Sequence, residues 1–270
     1  MAAATAPAAL GLSIFLVQLL LQGHKRKAFV NFAWLCNYLL VFFCFGCACL
    51  ASECRMFYVR NNCPYPVWPA TLGSPQLPQT GFLLQSSAAV PLAAPPRWSG
   101  RLWGRSLCSM DPSGRFSCAT GDCGTGQLAC DGAGGVPPAT LTEFTLDGDD
   151  GNDYYDVSNV DGFNIPVMVT PLGGSGCRTA SCAANMNALC PGELQVVSGG
   201  CVVACKSGCL AFGTDAYCCT AGFGSPESCK PTNYSVVFKS ACPLARSYAY
   251  DNDGSALTCA GVDYLVDFCP

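Results

Sequence analysis

Three carboxylates in the middle of the chain have the types and the spacing for acid–base work. Residues 140–146 read TLTEFTL. On a strand, successive side chains point to opposite faces, so Thr142, Phe144 and Leu146 share one face and Leu141, Glu143 and Thr145 the other. Phe144 and Leu146 are predicted to seek the core, which leaves Glu143 projecting from the opposite face. Tyr154-Tyr155-Asp156-Val157 repeats the pattern, with Asp156 opposite Val157, and Asp161-Gly162 reads as a turn before a strand over 163–170. Glu143, Asp156 and Asp161 therefore stand on or beside neighbouring strands with room to converge. A paired Glu and Asp is the usual machinery of glycoside hydrolysis, with their separation setting the stereochemical route. The same groups in a site that only binds accept hydrogen bonds from hydroxyls, with aromatic rings under the sugar face. Tyr154, Tyr155 and Phe163 are the nearby rings.

The elements that position these acids are punctuated by cysteine and glycine. The stretch from Gly114 to Cys130, GRFSCATGDCGTGQLAC, holds Cys118, Cys123 and Cys130, separated by glycines that allow tight turns. Asp122 is a candidate turn acceptor. By itself the stretch suits either a zinc knuckle or a disulfide-stapled loop. Elsewhere the apolar runs are short and bounded by Gly, Pro, Asn and Asp, with no long 3.6-residue period, which predicts mostly β structure joined by loops.

Composition excludes several classes. Of the 270 residues, 22 are Cys and 12% are charged. Three of the 14 basic and one of the 18 acidic residues lie in the first 54, so the remainder carries 11 and 17 and a net charge of −6. An acidic domain is a poor partner for nucleic acid or anionic lipid. The single histidine, His24, lies near the N-terminus. Residues 55–270 thus cannot support a Ser–His or Cys–His nucleophile or a His-ligated metal.

Residues 1–54 read as an N-terminal extension and secretory signal. Residues 8–22 are apolar, His24-Lys25-Arg26-Lys27 follows, and a second apolar run covers 28–51. A basic cluster, an apolar run and then small residues is the order of an export signal. Cleavage is predicted after Ala51 or Cys54. The rival is an uncut anchor, since 24 apolar residues can span a bilayer. Either way the rest of the chain reaches an oxidising compartment.

With FYVRNNCP from Phe57 and WSGRLWGR from Trp98, the pattern resembles the thaumatin-like family of plant pathogenesis-related proteins. GRFSCATGDCGTGQLAC fits that family's signature along its length. VDGFNIPV from Val160, LCPGEL from Leu189, YCC from Tyr217, CKPTNYS from Cys229, SYAYD from Ser247 and the terminal DFCP fit too. The resemblance spans residues 55–270. It implies a mainly β fold, a flattened antiparallel β-sandwich of about eleven strands. It also implies a loop lobe over 106–137 and a helix-containing disulfide lobe over 184–242, with a cleft beside the core. Seventeen cysteines follow residue 54. The family's sixteen, carried over by motif, pair as Cys63–Cys269, Cys108–Cys118, Cys123–Cys130, Cys177–Cys259, Cys182–Cys242, Cys190–Cys205, Cys209–Cys218 and Cys219–Cys229. Cys201 is left over, and zinc loses to disulfides in a secreted, cysteine-dense chain.

The family's acidic cleft corresponds here to Arg101, Glu143, Asp156, Asp161 and Asp251. If the cleft is a weak endo-β-1,3-glucanase, the resemblance makes Glu143 the proton donor and Asp161 the nucleophile or base. Some of these acids could instead orient the fold by pairing with Arg101 or Arg105. The extra acids of 147–153, DGDDGND, are expected to form a solvated loop. Asn233-Tyr234-Ser235 is a glycosylation acceptor. The expectation is a secreted, extracellular, monomeric plant defence protein that binds β-1,3-glucan or another cell-wall polysaccharide and is antifungal. It has no cofactor, no metal, no nucleic-acid partner and no membrane span after processing. A stress-induced wall protein without a sugar ligand is the structural alternative.

Overall fold

The computed structural model describes residues 54–251 and 257–270, so the expected signal over residues 1–54 lies outside the described residues except for its last position. The alternation of RMFYVRN becomes strand β1 (Arg55–Asn61), with Phe57 and Val59 fully buried and Tyr58 exposed. The other strands are β2 (Trp68–Ser74), β3 (Ala89–Ala94), β4 (Ser99–Met110), β5 (Phe116–Thr120), β6 (Leu141–Thr145), β7 (Asp153–Ser158), β8 (Val167–Leu172), β9 (Ala180–Cys182), β10 (Gln195–Ser198), β11 (Cys201–Cys205), β12 (Leu257–Cys259) and β13 (Asp263–Phe268). The strand expected over 163–170 begins only at Val167. Phe163 makes a lone bridge to Cys205 instead.

Two sheets make the sandwich. One runs β3-β1-β13-β8-β9, the other β12-β7-β6-β4-β2 with β5 added to β4. Together they hold eleven strands, and β10–β11 forms a separate two-stranded ribbon. Among the described residues the strands pair antiparallel except β1 with β13, which run parallel and bring Cys63 and Cys269 together just beyond their ends.

Aromatic side chains fill the space between the sheets. Phe57 and Tyr264 enter from one sheet, Phe144 and Tyr155 from the other. Ring centroids lie 4.6 Å apart for Phe57–Phe144, 5.2 Å for Phe144–Tyr264 and 5.1 Å for Tyr155–Tyr264. Burying each ring contributes roughly 1.5–3 kcal/mol by area alone. The two buried phenols find acceptors, as buried tyrosines must: Tyr155 donates to the Arg178 carbonyl and Tyr264 to Asp153 Oδ2 at 2.9 Å.

That last contact corrects the reading of DGDDGND as a solvated loop. Asp153 is fully buried, and its Oδ1 accepts from the Asp147 amide at 2.9 Å. Arg55 Nη2 reaches Asp147 at 2.6 Å and its Nε lies 3.4 Å from Asp153. Asp149 and Asp150 are the exposed members. Half of the acidic run is thus an anchor, because the sandwich edge supplies a cation and a phenol to it.

The two flanking regions are held by sulfur. Beside β4, Cys108–Cys118 ties the β4–β5 hairpin and Cys123–Cys130 closes the following loop. Asp122 shapes that loop by accepting from the Cys118 amide at 2.8 Å and the Gly124 amide at 2.6 Å. Arg105 is fully buried under it. Its Nε donates to the Trp68 carbonyl at 3.0 Å, its Nη2 donates to Leu128 at 2.8 Å, and the guanidinium sits 5.2 Å from the Phe116 ring centre. Burial pushes its pKa down to about 10.

All the α-helices among the described residues fall in 186–241: α1 (Met186–Leu189), α2 (Gly208–Phe212), α3 (Asp215–Cys218) and α4 (Asn233–Ala241). None is long and apolar enough to cross a membrane. Helices this short are not stable by themselves. Here Cys190–Cys205, Cys209–Cys218 and Cys219–Cys229 staple the segment internally, and Cys182–Cys242 fixes it to β9. Thr232 and Ser235 form a reciprocal capping box at the start of α4. Cys177–Cys259 joins the segment before β9 to β12, and Cys201 is free and exposed.

Candidate functional site

Strands β4, β6 and β7 are neighbours, and their register decides which polar side chains meet. Arg101 lies opposite Glu143, and Glu143 opposite Asp156. Phe144 and Tyr155 point into the core, so the alternate positions Glu143 and Asp156 must share the outer face. Directly opposed residues on antiparallel strands bring their Cβ atoms to about 5 Å. Two carboxylates are therefore forced side by side, with Arg101 on the flank.

The turn after β7 brings Asp161 to the same edge. Gly162 donates to the Asn159 carbonyl at 2.9 Å and takes a φ of +86°. A Cβ there would lie 2.6 Å from the Cys205 carbonyl oxygen, so only glycine lets the turn pack against β11. Asp161 Oδ2 lies 3.9 Å from Arg101 Nη1.

A second cation belongs to this face, and the sequence reading missed it. Arg246 pairs in parallel with Ser158: its amide donates to the Val157 carbonyl and its carbonyl accepts from Asn159, both at 2.8 Å. Its Nη1 stands 3.6 Å from Asp156 Oδ2, and its Nη2 donates to the Ala249 carbonyl at 2.8 Å. Its only sequence signal was adjacency to the SYAYD motif.

Burial dominates the electrostatics. It pushes Glu143 above the ordinary glutamate range, against the pull of Arg246 and Arg101, while Asp161 adds a further push upward and the Ser158 hydroxyl pulls down. Asp156 is pushed up to about 6, first by burial and then by Glu143, with Arg246 opposing. Near pH 6 Asp156 therefore exchanges a proton beside Glu143. Such a face can accept hydrogen bonds from hydroxyls and can donate one proton.

Arg101, Glu143, Tyr154 and Asp156 line an open hollow of about 590 Å³. Asp161 lines a separate hollow of about 290 Å³ with Tyr217 and Lys230 from the disulfide lobe and Tyr248 beyond it. Asp251 lies in neither. It is 5% exposed, accepts from the Ser247 amide and hydroxyl at 2.8 and 2.9 Å, and stands 3.1 Å from Lys239 Nζ in a third hollow. Of the three rings expected under a sugar, Phe163 and Tyr155 are buried in the core. Tyr154 alone is exposed there, and its hydroxyl donates to Asp150 at 2.7 Å. Asn233 is exposed as the first residue of α4.

A family model described as the Thaumatin family matches residues 61–270. A protein of Prunus avium named glucan endo-1,3-beta-glucosidase is 56% identical over 217 residues, covering 78% of this chain and 89% of that protein. Pathogenesis-related protein 5 of Arabidopsis thaliana is 51% identical over 234 residues, covering 86% and 95%. Among solved structures, a laminaripentaose-producing β-1,3-glucanase in complex with laminaritetraose superposes with a TM-score of 0.53 at 12% identity over 81% of this chain and 99% of that one, a likeness of fold.

Proposed function

The chain belongs to the thaumatin family, and from that membership we propose that it is a secreted, monomeric, antifungal plant defence protein that binds β-1,3-glucan at the face built by Arg101, Glu143, Asp156 and Asp161. The observation that carries this is the cross-strand row Arg101–Glu143–Asp156 in an open hollow. Its chemistry suits a neutral, hydroxyl-rich ligand: hydroxyl donors meet carboxylates, and hydroxyl acceptors meet guanidinium. The Prunus avium relative's name, glucan endo-1,3-beta-glucosidase, supports the same ligand class.

Retention on insoluble β-1,3-glucan tests it. The parent protein is expected to be retained and to be released by soluble laminarin. Arg101→Ala is expected to weaken retention about tenfold, the loss of one charged hydrogen bond. A parent that passes straight through the glucan overturns the reading.

A second reading, slow hydrolysis, is favoured by one observation: Glu143 is half-buried and held above its ordinary pKa, as a general acid must be. Glu143→Gln separates the two readings. It keeps the shape and cannot transfer a proton. In a glycosidase, reducing-sugar release from laminarin falls by about 10²–10⁴ with retention little changed. In a binder there is no release to lose.

A further inference from the structure

We propose that Arg246 is a positioning residue of the acidic face. It closes a row in which two cations flank two carboxylates, Arg101–Glu143–Asp156–Arg246, and the two central carboxylates then act together as one proton donor and one acceptor toward neighbouring hydroxyls. The role in ligand binding rests on the reading of a hydroxyl-rich ligand given above. The role in charge does not.

Geometry fixes the row. Three of its members sit on adjacent strands in direct register. The fourth is delivered from about ninety residues downstream by a backbone bridge to Ser158, two residues beyond Asp156. Without Arg246 the row ends on a buried carboxylate beside another carboxylate. Such a group has every reason to stay protonated, because burial and a like neighbour both disfavour its charge.

The way Arg246 meets Asp156 matters as much as its presence. Elsewhere in the molecule a buried Asp is locked by a fork: Arg60 Nε and Nη2 reach the two oxygens of Asp267 at 2.5 and 2.7 Å. A bidentate pair of that kind fixes the ionised form. Arg246 makes a single, longer approach of 3.6 Å. Asp156 Oδ1 and Arg246 Nε are both shut off from solvent without a hydrogen-bond partner. The pair is thus close enough to set the charge of Asp156 and too loose to lock it. The groups that face the two acids are Arg101 from β4, Asp161 and Ser158 from the end of β7 and its turn, and Arg246 from the returning chain. Burial, with Glu143 next, lifts Asp156, and among the described residues Arg246 is the cation acting against that lift.

Carboxyl carbon NMR titration of the intact, disulfide-bonded protein, with no glucan present, tests the charge role directly. In Arg246→Gln the Asp156 titration is expected to move up by about one pH unit or more. Arg246→Lys is expected to restore most of the shift, because it keeps the charge and a single approach needs no fork. An Asp156 titration unmoved in folded Arg246→Gln overturns the proposal and leaves Arg246 as a strut for the Ala249 carbonyl. If Arg246→Gln does not fold, Glu143→Gln serves: removing the like charge must lower the Asp156 titration, and no change there overturns the coupled row. Glucan retention measured against pH then reads the ligand half. Its pH midpoint is expected to rise in Arg246→Gln by the amount seen in the titration. A parent that never binds glucan, with titrations that still shift, sinks the ligand reading and spares the charge row. A retention midpoint that stays fixed while the titration moves shows that the couple is not what the ligand uses.

Discussion

The sandwich and the segment 184–242 are built by opposite means. The sandwich is held by interleaved rings and long strands, and two of its bridges, Cys63–Cys269 and Cys177–Cys259, join residues 206 and 82 apart. The disulfide segment has helices of four, five, four and nine residues and internal bridges only 15, 9 and 10 apart. The difference matters for the site. Glu143 and Asp156 stand on the packed part, where register fixes them. Arg246 and Asp251 stand where the stapled segment returns to it. The like charges are held by strand register, and of the two cations that temper them one stands on β4 and the other arrives on the returning chain.

The largest expected effect tests the packed half. Phe57→Ala removes a ring that touches Trp98, Phe144 and Tyr264 and is expected to cost about 3–5 kcal/mol in guanidinium unfolding without reductant. A cost below about 1 kcal/mol would mean that the bridges and not the rings hold the sandwich.

Next comes the penalty carried by the acidic face. Asp156 holds its proton more tightly folded than unfolded, at about 6 against 3.8. Its contribution is therefore favourable below about pH 4 and is lost as pH rises through about 6. Asp156→Asn removes that loss. It is expected to stabilise by no more than about 3 kcal/mol at pH 7.5 and by almost nothing at pH 4. Stabilisation that does not depend on pH would point to packing and away from charge.

The smallest effect belongs to the stapled half. Replacing Cys209 and Cys218 together by Ser opens a short loop and is expected to cost about 2–3 kcal/mol. Hydrogen exchange should show the loss confined to α2 and α3, with amides of β4, β6 and β7 unchanged. Faster exchange in those strands would join the two regions into one cooperative unit.

Much of this was legible in the residues. The alternation in TLTEFTL placed Phe144 and Leu146 inside and Glu143 outside, because a half-buried strand writes its face into every second position. The same rule shows why Tyr154 and Tyr155 could not both serve one ligand: adjacent strand residues face opposite ways, and Tyr155 went to the core. Phe163 gave no such signal, since its burial depends on a bridge to Cys205. Leu141, assigned to the outer face, is buried too, because Trp103, Ala139 and the Cys123–Cys130 loop cover that end of the sheet. Arg246 and Asp251 were the least legible. Their neighbours are set by a chain return from the stapled segment, and no local pattern records where a chain returns.

The capping box at α4 bears on when the molecule can be modified. Ser235 is buried, its hydroxyl donating to the Thr232 carbonyl at 3.0 Å and accepting from the Thr232 amide at 2.7 Å. The same hydroxyl is the third member of Asn233-Tyr234-Ser235, the part an oligosaccharyltransferase must engage. Once α4 has formed, Asn233 is still exposed but its recognition partner is occupied. If the acceptor is used, transfer has to precede formation of α4, on a chain in which Cys219–Cys229 just upstream has yet to close. Slow oxidation would lengthen the interval for transfer and fast oxidation would end it, so the fraction of chains carrying sugar at Asn233 would keep a record of how quickly each one folded during synthesis.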